Sequence, residues 1–136
     1  LFRSRIVAAV HAGWRGTVAD IVGKTVKEMN PLNATDIHAI IGPGISLECF
    51  EVGDEVYEIF QKEGFPMQRI AKRFPADGGE AWHIDLWVAN RWLMEQQGVT
   101  DIFVQGICTR SSMDFYSARR ETINTGRNYN GIMILR

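Results

Sequence analysis

The chain has 136 residues, the size of one ordinary domain, and is long enough to bury a core without disulfide help. Its 15 Lys and Arg residues nearly balance 16 Asp and Glu residues, which argues against a nucleic-acid-binding domain built on bulk basic charge. The hydrophobic content of 46% argues against disorder, and no apolar run approaches the ~20 residues that cross a bilayer, so we expect no membrane partner.

Chemically reactive side chains are few. The two cysteines, Cys49 and Cys108, lie far apart and form no CxxC pair, and the chain holds only three histidines. This usage is unlike the dense cysteine framework of a secreted disulfide scaffold. We therefore expect a reducing compartment, the cytoplasm.

The first part of the chain predicts two strands around one helix. Ile6–Val10 is a short apolar run typical of a buried strand, and the glycine-containing segment His11–Gly16 predicts a tight turn after it. Apolar residues then recur at helical spacing over Val18–Met29. Ile37–Ile41 predicts the second strand, because the Gly-Pro-Gly sequence that follows ends it.

The middle of the chain predicts a helix followed by a long loop. The helix begins at residue 53 or 54, with acidic residues that suit its positive end and with Val56, Ile59 and Phe60 facing inward. Residues Gly64–Glu80 contain two prolines and a Gly-Gly pair. We predict that they form an irregular surface loop.

The last part returns to alternating elements. Ile84–Gln97 predicts a helix closed by a glycine, and Ile102–Gln105 and Ile132–Leu135 predict strands. Strands that alternate with helices indicate an α/β fold with a layered mixed sheet and flanking helices. We expect one domain over residues 1–136, with no linker that divides it. Loops that leave parallel strands at their carboxyl ends gather at one edge, where sites are often built.

Three metal-binding side chains belong to such loops or lie beside a helix start. His11 follows the first predicted strand, Cys49 follows the second, and His83 precedes the third helix. A His, Cys and His set suits zinc with an open fourth position, and copper as the alternative. The spacing leaves another interpretation open, in which Cys49 is a small buried residue and His83 helps the helix to start.

Other polar residues have two interpretations each. His38 alternates within a predicted strand and is interpreted as structural or solvent-facing. Cys108 follows the third strand and is interpreted as a core thiol rather than a neighbour of the site. Trp14 and Trp82 lie beside the proposed ligands and are candidates to line a pocket.

The arginines Arg15, Arg119 and Arg120 are candidate substrate-binding residues. Arg15 shares the first loop with His11, and the Arg-Arg pair follows an aromatic segment. Guanidinium groups suit phosphate or carboxylate, and the alternative is a surface ion pair with an acid such as Glu121.

The segment His11–Gly16 reads HAGWRG and resembles the first signature of the YfiH family, also described as the multicopper polyphenol oxidase (laccase-like) or peptidoglycan editing factor family. Further segments resemble later signatures of this family in the same order, so the resemblance covers essentially the whole chain. They are Gly42–Ile45 with Cys49–Gly53, His83–Leu86 with Ala89–Arg91, Gly106–Thr109, Phe115–Arg120 and Thr125–Arg127.

The resemblance implies a YfiH-like fold and a metal site. The family's ligands are a His in the first signature, a Cys in the second and a His at the third, which places them on His11, Cys49 and His83. These residues would be catalytic through the bound metal. Family members also carry a further N-terminal part, so we expect this chain to correspond to the C-terminal portion of a larger single-domain protein.

The resemblance also implies a purine nucleoside enzyme. Family members are credited with phosphorolysis of adenosine, inosine, guanosine and methylthioadenosine, and with adenosine deamination. The implied partners are thus a nucleoside and phosphate. Zinc would supply hydroxide for deamination, and Arg15 or Arg119 would hold phosphate for phosphorolysis. Older descriptions name copper-dependent polyphenol oxidases, and a role in peptidoglycan precursor editing is also assigned.

Three other functions stay open. A cysteine hydrolase would use Cys49 as nucleophile and His83 or His11 as base, and it would work without metal. A multicopper oxidase would need more histidines than three. A binding module would use the metal only to stabilise its fold, with Cys108 as a fourth ligand.

Overall fold

In the computed structural model, residues 6–32 and 36–135 are described, and they form two small sheets packed against helices. The mixed α/β architecture confirms the predicted fold class. Single turns of 3₁₀ helix lie at Asn30–Leu32 and Leu47–Cys49. The helices are α1 (Trp14–Val18), α2 (Ile21–Met29), α3 (Asp54–Lys62), α4 (Met67–Ile70) and α5 (Leu86–Gln96); the strands are β1 (His38–Ile41), β2 (Glu51–Val52), β3 (Ala71–Ala76), β4 (Gly79–Ile84) and β5 (Asp101–Val104).

The parallel pair β1–β5 carries the smaller core. Residues alternate across a strand, so one face of the pair packs on α2 and α5 while the other lies open. The packed face contributes Ile102, which forms a cluster with Val26, Met94 and Val99. On the open face His38 pairs with Asp101, as expected for a solvent-facing histidine. The second and third predicted strands are therefore confirmed.

The antiparallel sheet, in the order β2–β4–β3, carries the larger core. Phe60 from α3, Ile70 from α4 and Ile84 from β4 are each completely buried there. α5 begins at its N-cap Asp85, whose side chain accepts a hydrogen bond from the Val88 amide, close to the predicted start. Ile59 is 37% exposed, so its predicted inward position was wrong.

The predicted helix over Val18–Met29 is divided in two by Asp20. This residue has a left-handed backbone, with φ 53°, and its side chain accepts a hydrogen bond from the Gly23 amide at 3.0 Å. A Cβ at position 23 would collide with that carboxylate, so glycine is required there. Asp20 therefore ends the first turn of helix and caps the next.

The predicted loop Gly64–Glu80 is wrong, because this segment forms α4 and the β3–β4 hairpin. Asp77 and Gly78 make the tight turn, and Gly78 and Gly79, the first residue of β4, both have positive φ angles. Pro75 fits within β3 because that strand is at the edge of the sheet, where a missing amide donor is tolerated.

The first and last predicted strands, Ile6–Val10 and Ile132–Leu135, are wrong in this structure. Both segments lie outside any strand and are mostly exposed. A strand needs a hydrogen-bonded neighbour, and in the described part of the chain β1 and β5 pair only with each other. No helix among the described residues is long and apolar enough to span a membrane.

Candidate functional site

Residues from the first, second and C-terminal signatures, with the residues just before the third, meet at one cleft of about 410 Å³, which we call the motif cleft. Small-molecule sites commonly fall within roughly 300–1,000 Å³. Trp14 comes from the first signature, and Arg119 comes from the C-terminal group. The cleft is lined by Trp14, residues 50–56, residues 80–82 and Arg119.

The indole of Trp82 is fixed on the β4 wall of the motif cleft. Arg73 lies opposite it on β3, with the guanidinium carbon 4.5 Å from the ring centroid. Tyr57 from α3 stacks on it, with centroids 4.0 Å apart and planes inclined by 15°. Cross-strand and aromatic contacts of this kind hold a side chain in one orientation.

Arg119 closes the other side of the motif cleft. Its Nη1 donates a hydrogen bond to the main-chain oxygen of Glu51 at 2.9 Å, and its guanidinium lies 5.0 Å from the Phe50 ring centroid. Part of the guanidinium is therefore committed to holding strand β2. Arg119, a predicted substrate-binding residue, thus lines the motif cleft.

Arg120 differs from its neighbour, because its guanidinium serves the local backbone. Its Nη1 donates to the main-chain oxygens of Thr109, Arg110 and Ser112, and its Nη2 donates to the Phe115 oxygen. It also pairs with Glu121 at 2.6 Å. The ion-pair alternative thus describes Arg120 better than the substrate-binding prediction does.

Arg15, like Arg119, is exposed. Its guanidinium carbon lies 4.4 Å from the ring centroid of Trp14, which itself lines the motif cleft. Within the described part of the chain, Arg15 has no acidic partner. Its donors are therefore available to an anion beside the cleft.

His83 is buried and oriented from two sides. Its Nδ1 donates to the main-chain oxygen of Leu47 at 2.9 Å, and its Nε2 lies 4.0 Å from a carboxylate oxygen of Glu51. The ring is 6% exposed and packs beside Phe74. Its orientation is set by the Leu47 oxygen and the Phe74 ring.

The structure does not bring the predicted metal set His11, Cys49 and His83 together as one group of ligands. Among residues 6–32 and 36–135, no group of three or more His, Cys, Asp or Glu side chains lies close enough to hold an ion. The hydrogen bond from Nδ1 of His83 to the Leu47 oxygen leaves Nε2 open, so this contact is compatible with ligation by His83. The ligand set stays a prediction from the resemblance, and no chemical step below passes through a metal.

The loops after β1 and β5 lie side by side, as expected for parallel strands. Gly44 and Cys108 form a parallel bridge, and the Ser46 amide donates to the Cys108 sulfur at 3.4 Å. Partial burial alone would raise the pKa of the Cys108 thiol, but hydrogen bonds from Ser111 and Ser46 outweigh it and lower the pKa to about 6. Cys108 is only partly buried, so it is not the core thiol that we expected.

Sequence reasoning missed the acidic lining of the motif cleft. Glu51, Asp54, Glu55 and Glu80 all line it. Glu80 was hidden in the segment predicted as a loop. The Asp-Gly pair at residues 77 and 78 was the signal that would have revealed the hairpin carrying it.

Residues 2–135 match the family model described as multi-copper polyphenol oxidoreductase laccase. The chain belongs to this family. Solved structures support the same family. The crystal structure of the Bacillus licheniformis hypothetical protein YfiH is similar to this chain with a TM-score of 0.69 and 28% sequence identity. The similarity covers 82% of this chain and 43% of that chain. The crystal structure of YlmD from Geobacillus stearothermophilus is similar with a TM-score of 0.68 and 32% sequence identity, and it covers the same shares of the two chains. The YfiH-like fold is thereby confirmed.

Two relatives carry names that describe an activity. A protein of Bacteroides thetaiotaomicron named purine nucleoside phosphorylase is 51% identical, over 94% of this chain and 49% of its own length. Adenosine deaminase RL5, from an unknown prokaryotic organism, is 47% identical, over 93% of this chain and 50% of its own length. The chain thus spans about half the length of these relatives.

Proposed function

We propose that the chain forms the nucleoside-binding part of a purine nucleoside enzyme, with the motif cleft as its substrate site. The observation that carries this proposal is the convergence of residues from three separate signature regions on one cleft. Names of relatives add support, since the proteins reported above are called purine nucleoside phosphorylase and adenosine deaminase.

The lining suits the parts of a nucleoside. A purine ring has apolar faces that pack on an indole such as that of Trp14, and its ribose hydroxyls donate hydrogen bonds to carboxylates such as that of Glu51. Breaking the glycosidic bond builds positive charge on the ribose. Carboxylates placed around the sugar stabilise that charge as it forms.

Phosphorolysis also requires a phosphate nucleophile. Arg15 is the candidate to hold it, because its guanidinium is exposed, lies against Trp14 at the cleft and has no acidic partner among the described residues. Arg119 keeps donors for a second contact, whereas Arg120 is occupied by the backbone. Phosphorolysis releases the free base, and deamination of adenosine releases inosine.

Binding of adenosine to the purified chain tests this proposal. Calorimetric titration of wild-type protein is compared with Trp14→Ala and with the matched control Tyr129→Ala, since Tyr129 is 93% exposed and outside the cleft. We expect Trp14→Ala to weaken binding by ~10-fold, about 1.4 kcal/mol, while the control binds as wild type. Equal affinity for all three proteins, or no binding by wild type, would refute the proposal.

Adenosine is then incubated with the protein, with and without phosphate, and chromatography of the products distinguishes phosphorolysis from deamination. Adenine that forms only with phosphate present identifies phosphorolysis, and inosine identifies deamination. A product that persists in Cys49→Ser excludes Cys49 as an essential nucleophile of a cysteine hydrolase.

A further inference from the structure

We infer that Arg120 is a positioning residue, whose guanidinium holds residues 109–121 in the shape that brings Ser111 to Cys108 and Arg119 to the motif cleft. We call these residues the arginine loop. Arg120 acts through its neighbours, since it does not itself line the cleft. The part of this inference that concerns Arg119 rests on the proposed function, whereas the part that concerns Cys108 stands without it.

The arginine loop has no regular structure of its own. All of its residues are described, and none of them belongs to a helix or a strand. Helices and strands pair their own backbone groups, whereas an irregular loop needs side chains or water as partners for its carbonyl oxygens. A side chain that collects several of these oxygens therefore decides the shape of the loop.

Four carbonyl oxygens of the arginine loop converge on the guanidinium of Arg120. Nη1 lies 3.0 Å from the oxygens of Thr109 and Arg110. It also lies 2.8 Å from the oxygen of Ser112, and Nη2 lies 2.5 Å from that of Phe115. Hydrogen bonds from a charged donor are roughly twice as strong as those between neutral groups. One planar guanidinium thus fixes the backbone of the loop at four positions.

Ser111 depends on this backbone for its contact with Cys108. It lies between Arg110 and Ser112, whose carbonyl oxygens both accept from Nη1 of Arg120. Ser111 hydrogen-bonds to the Cys108 sulfur, and the Ser112 amide donates to the Cys108 main-chain oxygen at 2.9 Å. Loss of the guanidinium should release Ser111 from the sulfur, and the thiolate would then be less stabilised.

Arg119 depends on the same residue at the other end of the arginine loop. The main-chain amides of Arg120 and Glu121 donate to the Ser117 oxygen at 3.0 and 2.8 Å, which closes a turn around Arg119. Ser117 is buried, and the Arg120 guanidinium pairs with the Glu121 carboxylate at 2.6 Å. From this turn Arg119 reaches the main-chain oxygen of Glu51 in the cleft wall. Disturbing Arg120 should therefore displace Arg119 from the cleft.

The test replaces Arg120 by lysine, which keeps the positive charge but offers one nitrogen in place of the planar fork. Arg127→Lys is the matched control, because Arg127 also donates to main-chain oxygens, but to those of its own turn outside the arginine loop. Ser111→Ala and Arg119→Gln each remove one end of the arrangement. Urea denaturation establishes that each variant is folded.

Two readouts report on the two ends of the arginine loop. The first is the pH midpoint of Cys108 alkylation by iodoacetamide, measured in a Cys49→Ser background so that one thiol remains. The second is the calorimetric affinity for inorganic phosphate, in which the proposed function gives Arg119 a contact. Ser111→Ala should change only the first readout, and Arg119→Gln should change only the second.

Arg120→Lys should change both readouts. We expect the alkylation midpoint to rise by about one pH unit or more, because a hydrogen bond to the thiolate is lost. Phosphate should bind ~10-fold more weakly, as when a charged hydrogen bond is lost. Arg127→Lys should behave as wild type in both measurements. A folded Arg120→Lys protein with an unchanged midpoint or an unchanged phosphate affinity would overturn the inference.

Arg120→Ala, measured with and without free guanidinium ion, gives a second test that does not depend on lysine being tolerated. Guanidinium at millimolar concentration should occupy the vacated place and return the alkylation midpoint toward the wild-type value, whereas ammonium should not. No return, or an equal return with ammonium, would contradict the role of the planar fork. If wild type binds no phosphate, the phosphate contact of the proposed function is wrong, and the alkylation midpoint alone decides whether Arg120 positions the loop.

Discussion

Thr17 and Asn90 hydrogen-bond to each other in the interior, and this contact joins the first signature region to the third. The Asn90 side-chain amide donates to the Thr17 hydroxyl at 2.9 Å and to the main-chain oxygen of Leu86 at 2.7 Å. The hydroxyl lies 3.0 Å from the oxygen of Gly13. α1, which carries Trp14 into the motif cleft, is thereby fixed to α5.

Replacing Thr17 by valine should destabilise the chain while leaving its shape nearly unchanged. Thr17 is completely buried, so the variant leaves one N–H of the Asn90 amide unpaired while the other still donates to Leu86. An unsatisfied buried donor costs about 1–3 kcal/mol. Urea denaturation measures the loss, with Thr25→Val as control, because the Thr25 hydroxyl bonds only within the exposed turn of α2. Equal stability of the two variants would show that the Thr17–Asn90 bond does not hold α1.

Gly44 should not tolerate alanine. A Cβ at this position would lie 2.8 Å from Nε1 of Trp87, an indole nitrogen buried without a hydrogen-bond partner in the described structure. Forcing a methyl group into a packed site typically costs about 1–3 kcal/mol. Thermal unfolding of Gly44→Ala should show this loss, and Gly131→Ala should not, since nothing lies within 4 Å of a Cβ at Gly131. A stable Gly44→Ala protein would mean that Trp87 can move.

The fold follows from the sequence where local signals and packing agree. The capping residue Asp85 and the apolar residues of α5 predicted that helix, because a cap and a buried stripe are both local patterns. The hairpin around Gly78 was missed, since Pro75 and the glycines that shape it are also typical of loops. The strand prediction for Ile6–Val10 was wrong for the opposite reason. Its strand pattern is strong, but a strand forms only beside a neighbouring strand to which it can hydrogen-bond.

The candidate site was predictable only in part. Trp14 and Trp82 were expected to line a pocket, and both do. The role of Arg120 was not predictable, because its acceptors are mainly carbonyl oxygens that no residue pattern shows. Cys49 and His83 are close in sequence to cleft residues, yet the direction of a side chain depends on tertiary contacts such as that from Leu47.

Zinc content tests the metal set that the resemblance implied. The described residues form no three-ligand group, so we expect the chain by itself to bind well under one zinc per molecule. His83→Ala should bind the same amount. The chain is loaded with zinc, dialysed and measured by elemental mass spectrometry. One zinc per chain in wild type, lost in His83→Ala, would contradict the structure and establish the site.

Cys108 should react as a thiolate at neutral pH. Hydrogen bonds from Ser111 and Ser46 outweigh desolvation and lower its pKa from the ordinary 9.0 to about 6. In a Cys49→Ser variant, which leaves Cys108 as the single thiol, the rate of alkylation by iodoacetamide should rise with pH to a midpoint near 6, since the thiolate is the nucleophile. A midpoint above pH 8 would contradict the hydrogen-bonded thiolate.

The lowered pKa of Cys108 also predicts how the free energy of unfolding depends on pH. Between about pH 6 and 9 the folded Cys108 is deprotonated while the unfolded thiol still holds its proton. Unfolding therefore takes up a proton, and the free energy of unfolding should rise with pH across this window. The contribution is complete above pH 9 and is lost as the pH falls through about 6. Urea denaturation at several pH values should show that the free energy of unfolding of Cys108→Ser lacks this rise with pH. An identical pH profile in wild type and Cys108→Ser would refute the lowered pKa of Cys108.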